Sequence, residues 1–158
     1  MMGDSIEKTL VLIKPDAIGR ALVGRIISRF EEKGLAIVGM KMIMPDENVL
    51  KGHYAHLCNE PFFPKIMAFM TSAPIIALCF SGFNAVEVTR SLCGVTNARN
   101  ALPGTIRGDL GMSIRKNLVH ASDSPQAALD EIGRFFSEEE IFSYDRVLDE
   151  IIYSTDER

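Results

Sequence analysis

The chain has 158 residues, 47% apolar and 24% charged, enough to bury a core in one domain spanning 1–158 and too apolar for a disordered chain. A net charge of −4 and a pI near 5.4 exclude a general attraction to nucleic acid or anionic membrane, so a polyanion must be met by a local basic pocket. Cys58, Cys79 and Cys93 are odd in number and lack C-x-x-C spacing, which argues against a disulfide framework or zinc site, and no apolar run reaches signal-peptide or membrane-spanning length; a cytoplasmic protein is expected.

Thr9 to Lys14, T-L-V-L-I-K, predicts a central strand buried on both faces. Pro15 cannot continue a ladder, so the Lys14 ammonium emerges at the strand's C-terminal end, with a snorkelling lysine as the equal alternative. Leu22, Val23, Ile26, Ile27 and Phe30 repeat at helical spacing and predict a helix that Gly34 ends; Leu35 to Met44 then reads as a second strand. Residues 47–71 read as two short helices broken by Pro61 and Pro64, bearing His53, Tyr54, His56, Phe62 and Phe63. The H-x-x-H pair lacks a third ligand and is not taken as a metal site. Phe62 and Phe63 are core residues unless this segment projects, in which case one ring becomes a stacking platform. Ala73 to Phe80 is the third strand and Asn84 to Leu92 the third main helix, with Arg90 near its end. Gly94 to Asp109 is long, irregular and rich in Gly, Asn and Pro, with Arg99 and Arg107 embedded, which suits wrapping around a ligand or partner.

The stretch from Ile114 to Phe136 organises the rest. Asn117 to Val119 predict a short strand with His120 directly after its last apolar residue. Ser122, Asp123 and Ser124 offer capping oxygens and Pro125 suits a first helical position, so His120 is expected just ahead of a helix N-terminus, where a phosphate is favoured. Glu131, about two turns into that helix, reaches back toward Ser122 and His120 and can orient a neutral imidazole as nucleophile or base. A hydrogen-bonded structural histidine is the alternative that this stretch alone leaves open. After Ser137, Glu138 to Glu140 begin a last short helix, and Tyr144 to Ile152 form an amphipathic tail.

The sequence contains neither G-x-x-x-x-G-K-[ST] nor G-x-G-x-x-G, so cationic side chains must hold any phosphate. Lys14, Arg90 and Arg107 are the candidates, each with ordinary surface solvation as its alternative. The runs T-L-V-L-I-K-P-D-A, E-P-F-F, R-S-L-C-G-V-T-N, P-G-T-I-R-G-D and N-L-V-H-A-S-D-S together resemble the nucleoside diphosphate kinases, from about Lys8 to Tyr153. Two positions depart from that family's pattern: Ala121 stands where Gly is usual, and Ala98 where many members carry Pro.

The resemblance implies an α+β, ferredoxin-like βαββαβ fold, with a four-stranded antiparallel sheet and helices packed on one face. It implies a ping-pong reaction in which the γ-phosphoryl of ATP or another nucleoside triphosphate passes to His120 and then to a nucleoside diphosphate, maintaining NTP and dNTP pools. Ser122 and Glu131 orient the histidine; Lys14, Tyr54, Arg90, Thr96 and Arg107 match phosphate-contacting positions; Asn117 joins Lys14 at the ribose; Phe62 and Ile114 match the two sides of the base slot. Mg²⁺ is expected on the nucleotide phosphates and not in a protein cage. No membrane or specific nucleic acid is expected as a partner, and a homo-oligomer, hexamer or tetramer built from dimers, is. The alternative function is a non-catalytic nucleotide-binding or scaffold relative that keeps the pocket.

Overall fold

The computed structural model of the chain describes residues 6–157. Four strands, β1 (Ile6–Ile13), β2 (Ala36–Ile43), β3 (Ile75–Phe83) and β4 (Val119–Ala121), form one antiparallel sheet in the order β2-β3-β1-β4. Helices α1 (Pro15–Gly19) and α2 (Val23–Lys33) join β1 to β2; α3 (Glu47–His53) and α4 (Phe63–Met70) join β2 to β3; α5 (Ala85–Cys93) and α6 (Ile106–Leu110) join β3 to β4. After β4 come α7 (Pro125–Phe135) and the short α8 (Asp149–Ile152). The four-stranded antiparallel ferredoxin-like sheet is the one the resemblance implies.

The run at the start of the chain is buried on both faces, as its unbroken apolarity predicts. Val11 and Ile13 point into a core with Ile26, Phe30 and Ile106, while Leu10 and Leu12 point into a second core with Leu50, Met70 and Phe135. Helices therefore cover both faces of the sheet, not one: α2 and α5 on the first, α3, α4 and α7 on the second. The second layer is what matters for chemistry, because His120 lies opposite Leu12 in the ladder and so shares Leu12's face.

The structure differs from the sequence reading in several places. Pro15 is the first residue of α1, with Asp16 in its first turn, so the residue read as a strand stop also starts a helix. Pro64 sits in the first turn of α4, where its missing N–H costs nothing, so it opens that helix instead of breaking it. The irregular segment after α5 contains a 3₁₀ turn at Ala98–Asn100 and the helix α6, capped by the Thr105 hydroxyl on the Gly108 N–H. At Gly108 a Cβ would fall 2.0 Å from the Leu102 carbonyl oxygen, so the turn carrying Arg107 has room for glycine only. Gly34 ends α2 at φ 107°, as expected.

β4 begins two residues later than predicted. Leu118 has φ 76°, a left-handed conformation costly for a branched side chain, and it breaks the extended run before Val119. Two bonds hold it there: its N–H donates to Asp16 Oδ2 at 3.1 Å, and its carbonyl accepts from the Lys14 N–H at 2.9 Å. His120 is therefore the middle residue of β4, held by the sheet, rather than the residue after a strand.

Candidate active site

The end of β1, the end of α3, the segment between α5 and α6, and β4 with α7 surround a cleft of about 830 Å³. Its lining includes Lys14, Tyr54, Phe62, Arg90, Thr96 and Arg107, and also Ile114, Asn117, His120 and Glu131. Of the residues that the resemblance assigns to the site, Ser122 alone lies behind this wall, fully buried and bonded to Glu131.

At the floor, His120 Nε2 is 3.0 Å from Glu131 Oε2, and the Ser122 hydroxyl donates to the same oxygen at 2.7 Å. Ser122 also accepts from the Leu10 N–H at 3.2 Å, so β1 fixes the hydroxyl that fixes the carboxylate. The predicted reach of Glu131 back to Ser122 and His120 is what the structure contains. The helix cap is Ser124, whose hydroxyl accepts from the Ala127 N–H at 3.1 Å; Ser122, read as a possible cap, serves Glu131 instead. Burial by itself would raise the Glu131 carboxyl, but the bonds from His120 and Ser122 bring it down to about 2. An ionised carboxylate only accepts, so Nε2 carries the proton and Nδ1 of a neutral His120 keeps its lone pair.

His53 is a functional-site neighbour that the sequence reading did not connect to His120. Its ring packs edge-to-face on His120 with centroids 4.4 Å apart, and also against Tyr54 and Phe135. Its Nδ1 lies 4.0 Å from Glu131 Oε1 and 3.5 Å from Arg134 Nη1. Burial, and then the proximity of His120, lower it to about 3, so it stays neutral. His53, His120 and Glu131 place one ligand atom each within 4.8 Å of one another. His53 supports His120 by ring packing, with the Arg134 guanidinium beside its Nδ1 and its Nε2 buried without a hydrogen-bond partner, while Glu131 holds His120 by a hydrogen bond.

These two shifts give a stability prediction. His53 (ordinarily 6.5) and Glu131 (ordinarily 4.5) both have folded values below their unfolded ones, so in acid the unfolded chain binds protons first. The contribution of these two groups is complete above about pH 6.5 and is lost on acidification, first through His53 and below about pH 4.5 through Glu131 as well. The melting temperature is expected to fall between pH 7 and 5, and His53→Phe to flatten that interval; an unchanged melting temperature over it would contradict the assignment.

Above the floor the cleft is cationic. Lys14 Nζ donates to Asn117 Oδ1 at 2.7 Å, and Asn117 Nδ2 donates to the Thr96 and Ile114 carbonyls at 3.0 and 2.9 Å. One buried amide thus ties the end of β1 to both rims. Burial, reinforced by Arg107, lowers the Lys14 ammonium to about 8. Arg107, only 8% exposed, donates to the carbonyls of Asn117 (3.2 Å), Gly94 (2.7 Å) and Val119 (2.7 Å). Arg90 is exposed in the last turn of α5. Burial holds the Tyr54 phenol above its usual range, so it is a neutral donor at the wall. At the outer end the Arg115 guanidinium lies 5.2 Å from the centroid of the Phe62 ring. Such an exposed contact is worth about 0.5–1 kcal/mol, less than the roughly 1–3 kcal/mol of a base stacked on an aromatic ring.

Six lysines and arginines line the cleft against two carboxylates, Asp123 and Glu131, and Glu131 is already engaged. This donor set fits an anion that brings its own divalent metal and does not form a metal cage. Of the two departures from the family pattern, the Ala121 methyl is absorbed in the core on the face away from His120, and Ala98 is buried in the 3₁₀ turn.

A ferredoxin-like sandwich with a carboxylate-bound histidine at the floor of a cationic cleft defines a class of protein built to receive phosphorylated ligands. Residues 7–141 match the family described as Nucleoside diphosphate kinase. A nucleoside diphosphate kinase of Parabacteroides distasonis is 49% identical over 152 residues, covering 96% of this chain and 99% of the relative. One from Archaeoglobus fulgidus is 46% identical over 148 residues, covering 94% and 98%. Among solved structures, the Halobacterium salinarum nucleoside diphosphate kinase in complex with CDP superposes with a TM-score of 0.93 at 40% identity, covering 95% of this chain and 100% of that one. The chain belongs to the nucleoside diphosphate kinase family, and is an enzyme of that kind: a nucleotide-binding phosphotransferase.

Proposed function

We propose that the protein moves the γ-phosphoryl of ATP to a nucleoside diphosphate through a phosphohistidine on His120. The observation that carries this is the bond from His120 Nε2 to an ionised Glu131, which leaves the Nδ1 lone pair free on a ring that lines a cationic cleft. The Nδ1 lone pair attacks the γ-phosphorus in line, the P–O bond to the β,γ-bridging oxygen breaks, and that oxygen leaves with the electron pair as the nucleoside diphosphate. A β-phosphate oxygen of a second nucleoside diphosphate then attacks the same phosphorus, the P–N bond breaks, and neutral His120 returns. Lys14, Arg90, Arg107, Tyr54 and Thr96 bind phosphate oxygens; Lys14 and Asn117 hold the ribose hydroxyls; Phe62 and Ile114 clamp the base, whose π-face they read without regard to identity. When bound with the nucleotide, Mg²⁺ would supply charge neutralisation to its phosphates, with Lys14 and Arg107 the cations of the protein that add to it.

Initial rates at several concentrations of both substrates test the proposal: parallel double-reciprocal lines are expected, and intersecting lines would reject the covalent intermediate. Glu131→Gln is expected to lower turnover on the order of 10²–10⁴-fold with nucleotide affinity nearly intact, since a neutral amide no longer fixes the tautomer. Weakened affinity with normal turnover would remove Glu131 from that role.

The same reading includes a homo-oligomer, hexamer or tetramer built from dimers. It is supported by exposed Met40, Met42 and Met44 along the edge strand β2 and its end, and by exposed Val147 and Ile151 in the tail. Light scattering measures it. Among the described residues no helix is long and apolar enough to cross a membrane, and the reading places the enzyme in the cytoplasm, where it serves NTP and dNTP pools.

A further inference from the structure

We propose that Arg115 makes this enzyme discriminate among bases, favouring those with a keto group over those with an exocyclic amino group at the same ring position. The inference rests on the base slot of the proposed function. Arg115 follows Ile114, one wall of that slot, and its guanidinium covers the ring of Phe62, the other wall. The guanidinium therefore lies against the ring on which a base would stack, in the same cleft.

The backbone that carries it is fixed. The Ser113 hydroxyl accepts from the N–H groups of both Arg115 and Lys116 at 3.2 Å, and the Ile114 carbonyl accepts from Asn117 at 2.9 Å. Arg115 itself is exposed, so its side chain swings while its Cα does not. A base stacking on Phe62 displaces the guanidinium from the ring face, because stacking outweighs an exposed cation–π contact. The displaced fork stays tethered at the rim of the slot, beside the base's edge. A guanidinium has donors only. Guanine offers O6 and N7, two acceptors that match the fork, and uracil and thymine offer O4; adenine and cytosine present an amino donor at the equivalent position, which a second donor repels. Stacking remains indifferent to base identity, so Arg115 adds a preference to a broadly tolerant slot.

The test compares kcat/KM for GDP against ADP and for UDP against CDP, with a common phosphate donor. At the solvent-exposed rim a single Arg contact is expected to give ratios of about fivefold in each pair, at the low end of the discrimination from such contacts, expressed in KM and not in kcat. Arg115→Gln, which can donate or accept, is expected to bring both ratios to about one. Lys116→Gln, a neutral change at the neighbouring cation of the same turn, is expected to keep them. Ratios near one in the unaltered enzyme, ratios retained in Arg115→Gln, or ratios lost in Lys116→Gln would each overturn the assignment. Phe62→Ala separates this from the reading beneath it: raised KM for all four diphosphates upholds the base slot whatever Arg115 does, while unchanged KM for all four removes the slot and the inference with it.

Discussion

Replacing His120 with alanine is expected to abolish the acid-labile phosphoenzyme formed with labelled ATP and Mg²⁺ and to lower turnover on the order of 10⁶-fold, the scale seen when a nucleophile is deleted from a site whose remaining parts act through it. The size follows from the geometry. Ser122 and Glu131 are spent on holding one imidazole: His53 lies beneath His120, buried, packed edge-to-face against three rings, with Arg134 at its Nδ1, and His56, which also lines the cleft, is an exposed side chain away from the Glu131 carboxylate that binds His120. Nucleotide affinity is expected to persist, since Lys14, Asn117 and Arg107 are tied to each other and to the backbone and not to His120. Acid-labile label that survives in the alanine variant would reject His120 as the acceptor.

Arg107→Ala is expected to be the most destabilising of the single changes considered, because Arg107 does two things at once. Its guanidinium satisfies three backbone carbonyls from two separate segments, Gly94 on one side and Asn117 with Val119 on the other. Truncation leaves the Gly94 and Val119 carbonyls without that donor beside an apolar core, at about 1–3 kcal/mol for each one that water does not reach, while the Asn117 carbonyl keeps the Val119 N–H at 2.9 Å. A loss of roughly 3–5 kcal/mol corresponds to a melting temperature lower by about 10 °C. Asn117, the partner of Lys14, is one of the residues released, so affinity for nucleotides falls with stability. Arg107→Lys is expected to recover little, since one ammonium cannot span three carbonyls in the plane of a fork. A thermal melt within 2–3 °C of the unaltered protein would show that the three bonds contribute little, by the same conversion.

Much of this site was readable before any coordinates. The unbroken run Leu10 to Ile13 fixed a strand buried on both sides, and the spacing of Glu131 from Ser122 and Pro125 fixed a carboxylate that leans back over His120, because both patterns are local and follow from backbone period and side-chain direction. Pro15 ends the ladder as its missing N–H requires, but Pro64 opens α4 instead of breaking a helix, because the residue that stops one element is also well suited to start a helix and the sequence does not say which use prevails.

What the tertiary structure alone decided is where distant segments meet. That His53 lies against His120, that Arg107 spends its donors on carbonyls, and that Arg115 lies across Phe62 depend on strand order and on a second helical layer that no local pattern encodes. The same holds for His120 inside β4: the left-handed Leu118 before it is held by Asp16 and Lys14, about a hundred residues earlier, at its N–H and its carbonyl. Local sequence determined which side chains this protein brings to phosphate chemistry, through periodicity and caps; long-range packing determined what each of them touches, because a contact between remote residues forms only once the sheet between them exists.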